Sequence, residues 1–182
     1  MPAEYEAKVL DIDPSATQEL ILAKGGVPVG QALLRRFVYD IAAGDESRWI
    51  RLRDTGGKAT LTVKEISHDG IDGTYEVEVG VDDFTATNEL LGRLGFAPKS
   101  YQENRRASFT LDGARLEIDE WPMIPPYLEI EADTPDDVIE IAARLGYTED
   151  QLTSENTMKV YRRYGLDLTA YPQLSFDAEP AR

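Results

Sequence analysis

The sequence predicts an α+β domain of about eight strands, mostly antiparallel, with helices laid over one face of them. Three observations lead there. Eight short segments alternate with period 2 and are separated by turn signals. Helical segments begin at capping residues and end at glycine. Most of the alternating segments set an apolar face against a charged one.

Asp13-Pro14-Ser15 opens a helix through about Lys24, and Gly25-Gly26 ends it. Asp82-Asp83 precede a second helix that stops near Gly95. Thr134-Pro135 open a third, with Val138, Ile141, Ala142 and Leu145 on one face and Gly146 at its end. A weaker pattern over 149–164 suggests a fourth. The tail from about Pro172 has no periodicity and reads as loose. The strand segments are 4–9, 33–40, 48–53, 59–65, 74–80, 104–111, 114–119 and 127–132, and Asp112-Gly113 is a strong hairpin cue. Two helices close alike, with Leu94-Gly95-Phe96 and Leu145-Gly146-Tyr147, a weak sign of repeated strand–helix units.

Each strand can be divided by parity. Glu4, Glu6 and Lys8 oppose Tyr5, Ala7 and Val9. Trp49, Arg51 and Arg53 oppose Ile50 and Leu52, and Thr60, Thr62 and Lys64 oppose Leu61 and Val63. Glu76 and Glu78 oppose Tyr75, Val77 and Val79. Arg106, Ser108 and Thr110 oppose Ala107, Phe109 and Leu111. Arg115, Glu117 and Asp119 oppose Leu116 and Ile118, and Glu129 and Glu131 oppose Leu128 and Ile130. The apolar faces need the helices as cover. The charged faces then meet bulk water, as in an open sheet, or one another, as in a closed barrel, and alternation alone leaves both open. Scarce lysine, frequent arginine and the edges that closure removes favour the barrel.

With 182 residues, 42% hydrophobic and 29% charged, one globular domain is expected. No apolar run approaches a membrane span, and charges stand in Met1–Lys8 where a signal peptide needs apolar residues, so a cytoplasmic location is expected. The absence of cysteine excludes disulfides, thiolate zinc sites and cysteine nucleophiles. A lone histidine, His68 in a Ser-His-Asp-Gly loop, makes triads and multi-histidine metal sites poor candidates. The net charge of −15 argues against nucleic acid or anionic lipid as partner. An anionic small molecule remains open if basic residues converge locally.

Glu4-Tyr5-Glu6-Ala7-Lys8, read as Glu-x-Glu-x-Lys, resembles the signature of the CYTH, or triphosphate tunnel metalloenzyme, superfamily. Further landmarks follow in order. Arg51-Leu52-Arg53 looks like its Arg-x-Arg strand, Lys64 like its next lysine, and Glu76-Val77-Glu78 like its middle acidic strand. Arg106 looks like its later arginine, and Asp119 with Glu129-Ile130-Glu131 like its closing Asp…Glu-x-Glu. Thr74 stands where the family often has arginine. In the second strand Arg35 and Arg36 lie on opposite faces; the site set includes Arg36. Lys159 sits near a late family lysine but reads better as a solvated helix position.

The resemblance covers roughly residues 4–165. It implies an eight-stranded antiparallel β-barrel tunnel over residues 1–170 with helices packed outside, and a loose tail over 171–182. It also implies a triphosphate-containing small molecule as substrate. Lys8, Arg36, Arg51, Arg53, Lys64 and Arg106 would cradle the phosphates, since arginine forks match phosphate oxygens. Glu4, Glu6, Asp119, Glu129 and Glu131 would hold Mg²⁺ or Mn²⁺, being hard oxygen donors. Glu4, Glu6 and Lys8 would be catalytic, with Glu76, Glu78 and Glu117 as further candidates. For Glu76, Glu78, Arg115 and Glu117, ion pairing inside the wall is an equal alternative. Trp49 could stack on a base or thiazole ring, or pack in the wall. A triphosphatase acting on inorganic, nucleoside or thiamine triphosphate is expected. A class IV adenylyl cyclase and a non-catalytic polyphosphate or nucleotide sensor are the alternatives.

Overall fold

Eight strands hydrogen-bond into a closed ring in the computed structural model, which describes residues 3–177. They are β1 (Ala3–Val9), β2 (Val27–Asp40), β3 (Arg48–Asp54), β4 (Ala59–Ile66), β5 (Thr74–Val81), β6 (Ser100–Leu111), β7 (Ala114–Glu120) and β8 (Tyr127–Ala132). Around the ring the order is β6-β2-β3-β4-β5-β1-β8-β7, and β7 returns to β6. Every neighbouring pair is antiparallel. The open sheet is thereby excluded.

Four α-helices pack outside: α1 (Pro14–Ala23), α2 (Phe84–Arg93), α3 (Pro135–Arg144) and α4 (Thr157–Arg163). Their starts are those the sequence signals. Asp13 and Asp83 each accept a backbone N–H at 2.8 Å, and Thr134 caps α3 through Asp137. The Leu-Gly-aromatic ends of α2 and α3 have one geometry. Gly95 and Gly146 have φ of 95° and 90°, and Phe96 and Tyr147 donate back to Leu91 and Ala142. Those bonds satisfy the last carbonyls of each helix.

The core lies between barrel and helices, not inside the barrel. Outward Ala7, Leu116, Leu128 and Ile130 bury completely or nearly so against Val138, Ile141, Ala142 and Leu145 of α3 and Ile21 of α1. A second cluster joins Tyr39, Ile50 and Leu52 to Leu91 of α2. A third gathers Trp121, Ile124 and Tyr127 with Val160, Tyr161 and Leu174.

Three expectations are corrected. Strands β2 and β6 begin earlier than the alternating segments 33–40 and 104–111, because they pair with each other along their lengths around an irregularity at Pro28/Gly30. Pairing, not apolar alternation, carries Gln31 and Gln102 into the sheet. Residues 149–164 are not one helix: a 3₁₀ turn at Glu149–Gln151 leads to β9 (Leu152–Thr153), which pairs with β1, before Asn156 caps α4. The tail from 171 is not loose at its start. β10 (Gln173–Leu174) runs parallel to β6, with Leu174 buried in the third cluster. Residues 178–182 lie outside the described residues.

Because Leu116 is fully buried between the barrel and its helices, Leu116→Ala is expected to destabilise the fold by about 2–5 kcal/mol. Urea unfolding of the two proteins measures this, and a change below 1 kcal/mol would contradict the placement of the core.

Candidate active site: a charged tunnel

Closure turns the charged parity of every strand inward. The side chains enclose a cavity of about 730 Å³, lined by Glu4, Glu6 and Lys8 of β1, Arg36 of β2, Trp49, Arg51 and Arg53 of β3, and Lys64 of β4. Glu76 and Glu78 of β5, Arg106 of β6, Arg115 and Glu117 of β7, and Glu129 and Glu131 of β8 complete it. The lining also includes Asn156 and Met158 from the start of α4, and Leu168 from a 3₁₀ turn at Leu168–Ala170.

Cross-strand register then sorts the charges. Arg36 lies directly opposite Arg53, Glu6 opposite Glu131, and Glu117 opposite Glu129. Like charges in that position destabilise a sheet. Opposed pairs such as Lys8/Glu129 and Lys64/Glu76 interleave them.

The arginine side is short of counter-charge. Arg36 forms no ion pair among the described residues; it donates to the amide oxygen of Asn104 and lies 4.6 Å over the Trp121 ring. Burial, with Arg51, Arg53 and Arg106 nearby, lowers its proton affinity to about 9, and Asp119 only partly offsets this. Burial and the neighbouring Arg51 and Arg106 likewise lower Arg53 to about 10. Arg51 and Arg53 reach Glu78 only at 3.3 Å. The Nε–H groups of Arg36, Arg51 and Arg53 are buried without an acceptor.

Arg106 is the contrast. Although burial disfavours its charge, Asp119, Glu117 and Glu129 raise its proton affinity far above the usual value.

The carboxylate side centres on β1 and β8. Lys8 is almost wholly buried and bonds Glu6 at 3.0 Å and Glu129 at 3.1 Å. Burial opposes its charge, but those two carboxylates more than compensate and push its pKa up. Burial also opposes the charge of Glu129, yet Lys8, Arg106 and Lys64 hold it well below the ordinary carboxylate range. Glu4 differs. Burial raises it to about 7 despite Lys64 at 2.8 Å, and it shares a hydrogen bond with Glu76, which is lowered.

The cavity settles the choice in the second strand. Arg36 points inward, while the exposed Arg35 pairs with Asp54 outside. Trp49 lies among the lining residues. Asp119 stands apart from the other proposed ligands: it is fully buried behind the wall, held by Arg106 Nε and Asn104 Nδ2, each at 2.7 Å. Among the described residues no three carboxylates gather into a preformed metal cluster. Glu76, Glu78, Glu117 and Arg115 are all ion-paired within the wall. His68 and Lys159 lie outside the tunnel, the latter paired with Asp69.

Sequence reasoning passed over Asn104, Trp121 and Tyr127. Asn104 and Tyr127 share the parity of their strand's charged residues and Trp121 continues that of β7 one residue past its end, so the signal was present, but none is charged.

The CYTH domain family matches residues 3–163. The fold is similar to that of protein PH1012 from Pyrococcus horikoshii OT3, at a TM-score of 0.73 and 24% identity, covering 84% of this chain and 96% of that one. A provisionally assigned adenylate cyclase from Vibrio parahaemolyticus gives 0.74 at 12% identity, covering 88% and 98%. HpAC1 from Hippeastrum, provisionally assigned as an adenylyl cyclase and described as having a dominant triphosphatase activity, gives 0.60 at 21%, covering 91% and 96%. Among proteins of curated function, none matches significantly.

Glu4 provides a test of this electrostatic map. Below about pH 4.5 it is protonated in folded and unfolded chains alike, whereas between 4.5 and about 7 only the unfolded chain ionises. Its contribution therefore favours the fold at low pH and is lost as pH rises through about 7. In EDTA, wild type is expected to lose at most about 3 kcal/mol relative to Glu4→Gln between pH 4.5 and 8. Urea denaturation at both pH values measures it, and parallel stability curves would contradict the shift.

Proposed function

Because this chain belongs to the CYTH domain family, we propose that it is a divalent-metal-dependent triphosphatase working inside the tunnel on inorganic tripolyphosphate or a triphosphate ester. The observation that carries this is the arginine side. Three guanidinium groups face one cavity with buried, unaccepted Nε–H donors and too little counter-charge. Phosphate oxygens supply both the missing acceptors and the missing charge.

Arg36, Arg51 and Arg53 bind the phosphate chain, and Arg106, on β6 beside β2, would extend the cradle only by sharing the charge it gives Glu117, Asp119 and Glu129. Glu4, Glu6, Glu129 and Glu131 offer only hard oxygen donors, a set that fits Mg²⁺ or Mn²⁺. Asp119 would join them only by giving up Arg106 and Asn104. When bound, the ion neutralises phosphate charge and orients the chain.

Lys8 holds Glu6 and Glu129 at ion-pair distance, and Lys64 holds Glu4. Glu4, which lines the cavity 2.8 Å from Lys64, is suited to take a proton from the attacking water where it is not itself bound to the ion. The water oxygen bonds to the terminal phosphorus and the bridging P–O bond breaks, giving orthophosphate with pyrophosphate from tripolyphosphate, or with the diphosphate ester from an ester. The triphosphatase activity described for HpAC1 supports this reading.

Trp49, Met158 and Leu168 give part of the lining an apolar character, leaving a place for an organic group. Cyclisation of ATP is therefore the second outcome to measure.

Purified protein is expected to release orthophosphate from tripolyphosphate, ATP or thiamine triphosphate with Mg²⁺ or Mn²⁺, and to stop with EDTA. Cyclic AMP with pyrophosphate would instead identify a cyclase, and binding without turnover a sensor. Full activity in EDTA would overturn the metal assignment.

Two variants separate the walls. Arg53→Ala is expected to weaken triphosphate binding at saturating metal by about 1.5–3 kcal/mol, the scale of a hydrogen bond to a charged group. Glu131→Gln is expected chiefly to raise the metal concentration needed. Folded variants with wild-type titrations of both would refute the assignment.

A further inference from the structure

Asn104 of β6 is fully buried and ties together two charges of opposite sign. Its amide oxygen accepts from Arg36 Nη2, and its Nδ2 donates to Asp119 Oδ1 at 2.7 Å. The orientation is unambiguous, because guanidinium can only donate and carboxylate can only accept.

We infer that Asn104 is a positioning residue that keeps Arg36 aimed at the tunnel as a charge-uncompensated anion binder. This rests on the triphosphate reading.

The alternatives at this position show why an amide matters. A carboxylate here would neutralise Arg36 and set a second anion against Asp119. An aliphatic side chain would strand a guanidinium donor and a carboxylate acceptor in a buried place, a costly loss. The amide satisfies both neighbours and adds no charge.

The surroundings complete the device. Trp121 lies under the guanidinium, and its Nε1 donates to Tyr127 at 2.8 Å, which fixes the ring. Across the sheet Arg53 stands directly opposite Arg36, so the strand pair presents two cations side by side. Arg106 shows the other fate of a tunnel arginine: bound to three carboxylates, it has little charge to spare. What separates the two arginines is Asn104, which gives Arg36 a neutral partner.

The test is a double-mutant cycle read by calorimetric binding of tripolyphosphate to the full chain, without turnover. Asn104→Asp is expected to raise the Kd at least tenfold. In an Arg36→Gln background the same change is expected to alter Kd less than twofold, because its effect passes through Arg36.

If the aspartate variant does not fold, Asn104→Ser serves. It loses the two-sided tie, and a loss of about threefold is expected that likewise vanishes with Arg36→Gln. A loss of equal size in both backgrounds, or no loss in folded Asn104→Asp, overturns the inference and leaves the triphosphate reading standing. Failure of wild type to bind tripolyphosphate overturns both.

Discussion

Neutralisation of charge across a closed lumen is the constraint on which the rest of the structure depends. Each barrel strand turns one face inward, and these inward faces carry arginine, lysine and glutamate. Removing such groups from bulk water is costly unless they are paired. The strands meet that condition collectively. Arg106 bonds carboxylates from β7 and β8, Lys8 joins β1 to β8, and Lys64 joins β4 to β1 and β5. The ion pairs thus run across the strands and stitch the ring together from inside. The apolar faces are left outside, which is why the helices must lie there.

The neutralisation is deliberately incomplete. Register sets Arg36 against Arg53, Glu6 against Glu131 and Glu117 against Glu129, arrangements that cost stability in a sheet meant only to be stable. An anion near the arginines relieves the first repulsion, and a hard cation among the glutamates relieves the second. A triphosphate–metal pair, the ligand proposed above, would bring both. The overall charge of −15 does not oppose this, because the field at a ligand is set by the nearest low-dielectric wall.

Within the arginine set, roles follow from partners. Arg106 is saturated and serves first as a structural hub, whereas Arg36, Arg51 and Arg53 retain unaccepted donors. The same residue type in the same lumen thus does two jobs, separated by the number of carboxylates within reach.

Strand parity was fully legible in the sequence. The residues Glu4, Glu6, Lys8, Arg51, Arg53, Lys64, Glu76, Glu129 and Glu131 all line one cavity, as alternation along each strand required. Helix starts and stops were legible too, since caps and glycine ends are set by neighbours a few residues away. Other features depended on residues distant in the chain, where short-range pattern is silent. Closure itself needs β7 to return to β6. The inward turn of Arg36 rather than Arg35 needs the register of β2 against β3 and β6. The withdrawal of Asp119 behind Arg106, and the place of Asn104 between Arg36 and Asp119, arise only once β2, β6 and β7 lie side by side. Alternation is a property of the local backbone and can be read residue by residue. Which charge finds which partner is decided by pairing between strands, and only the folded barrel contains that.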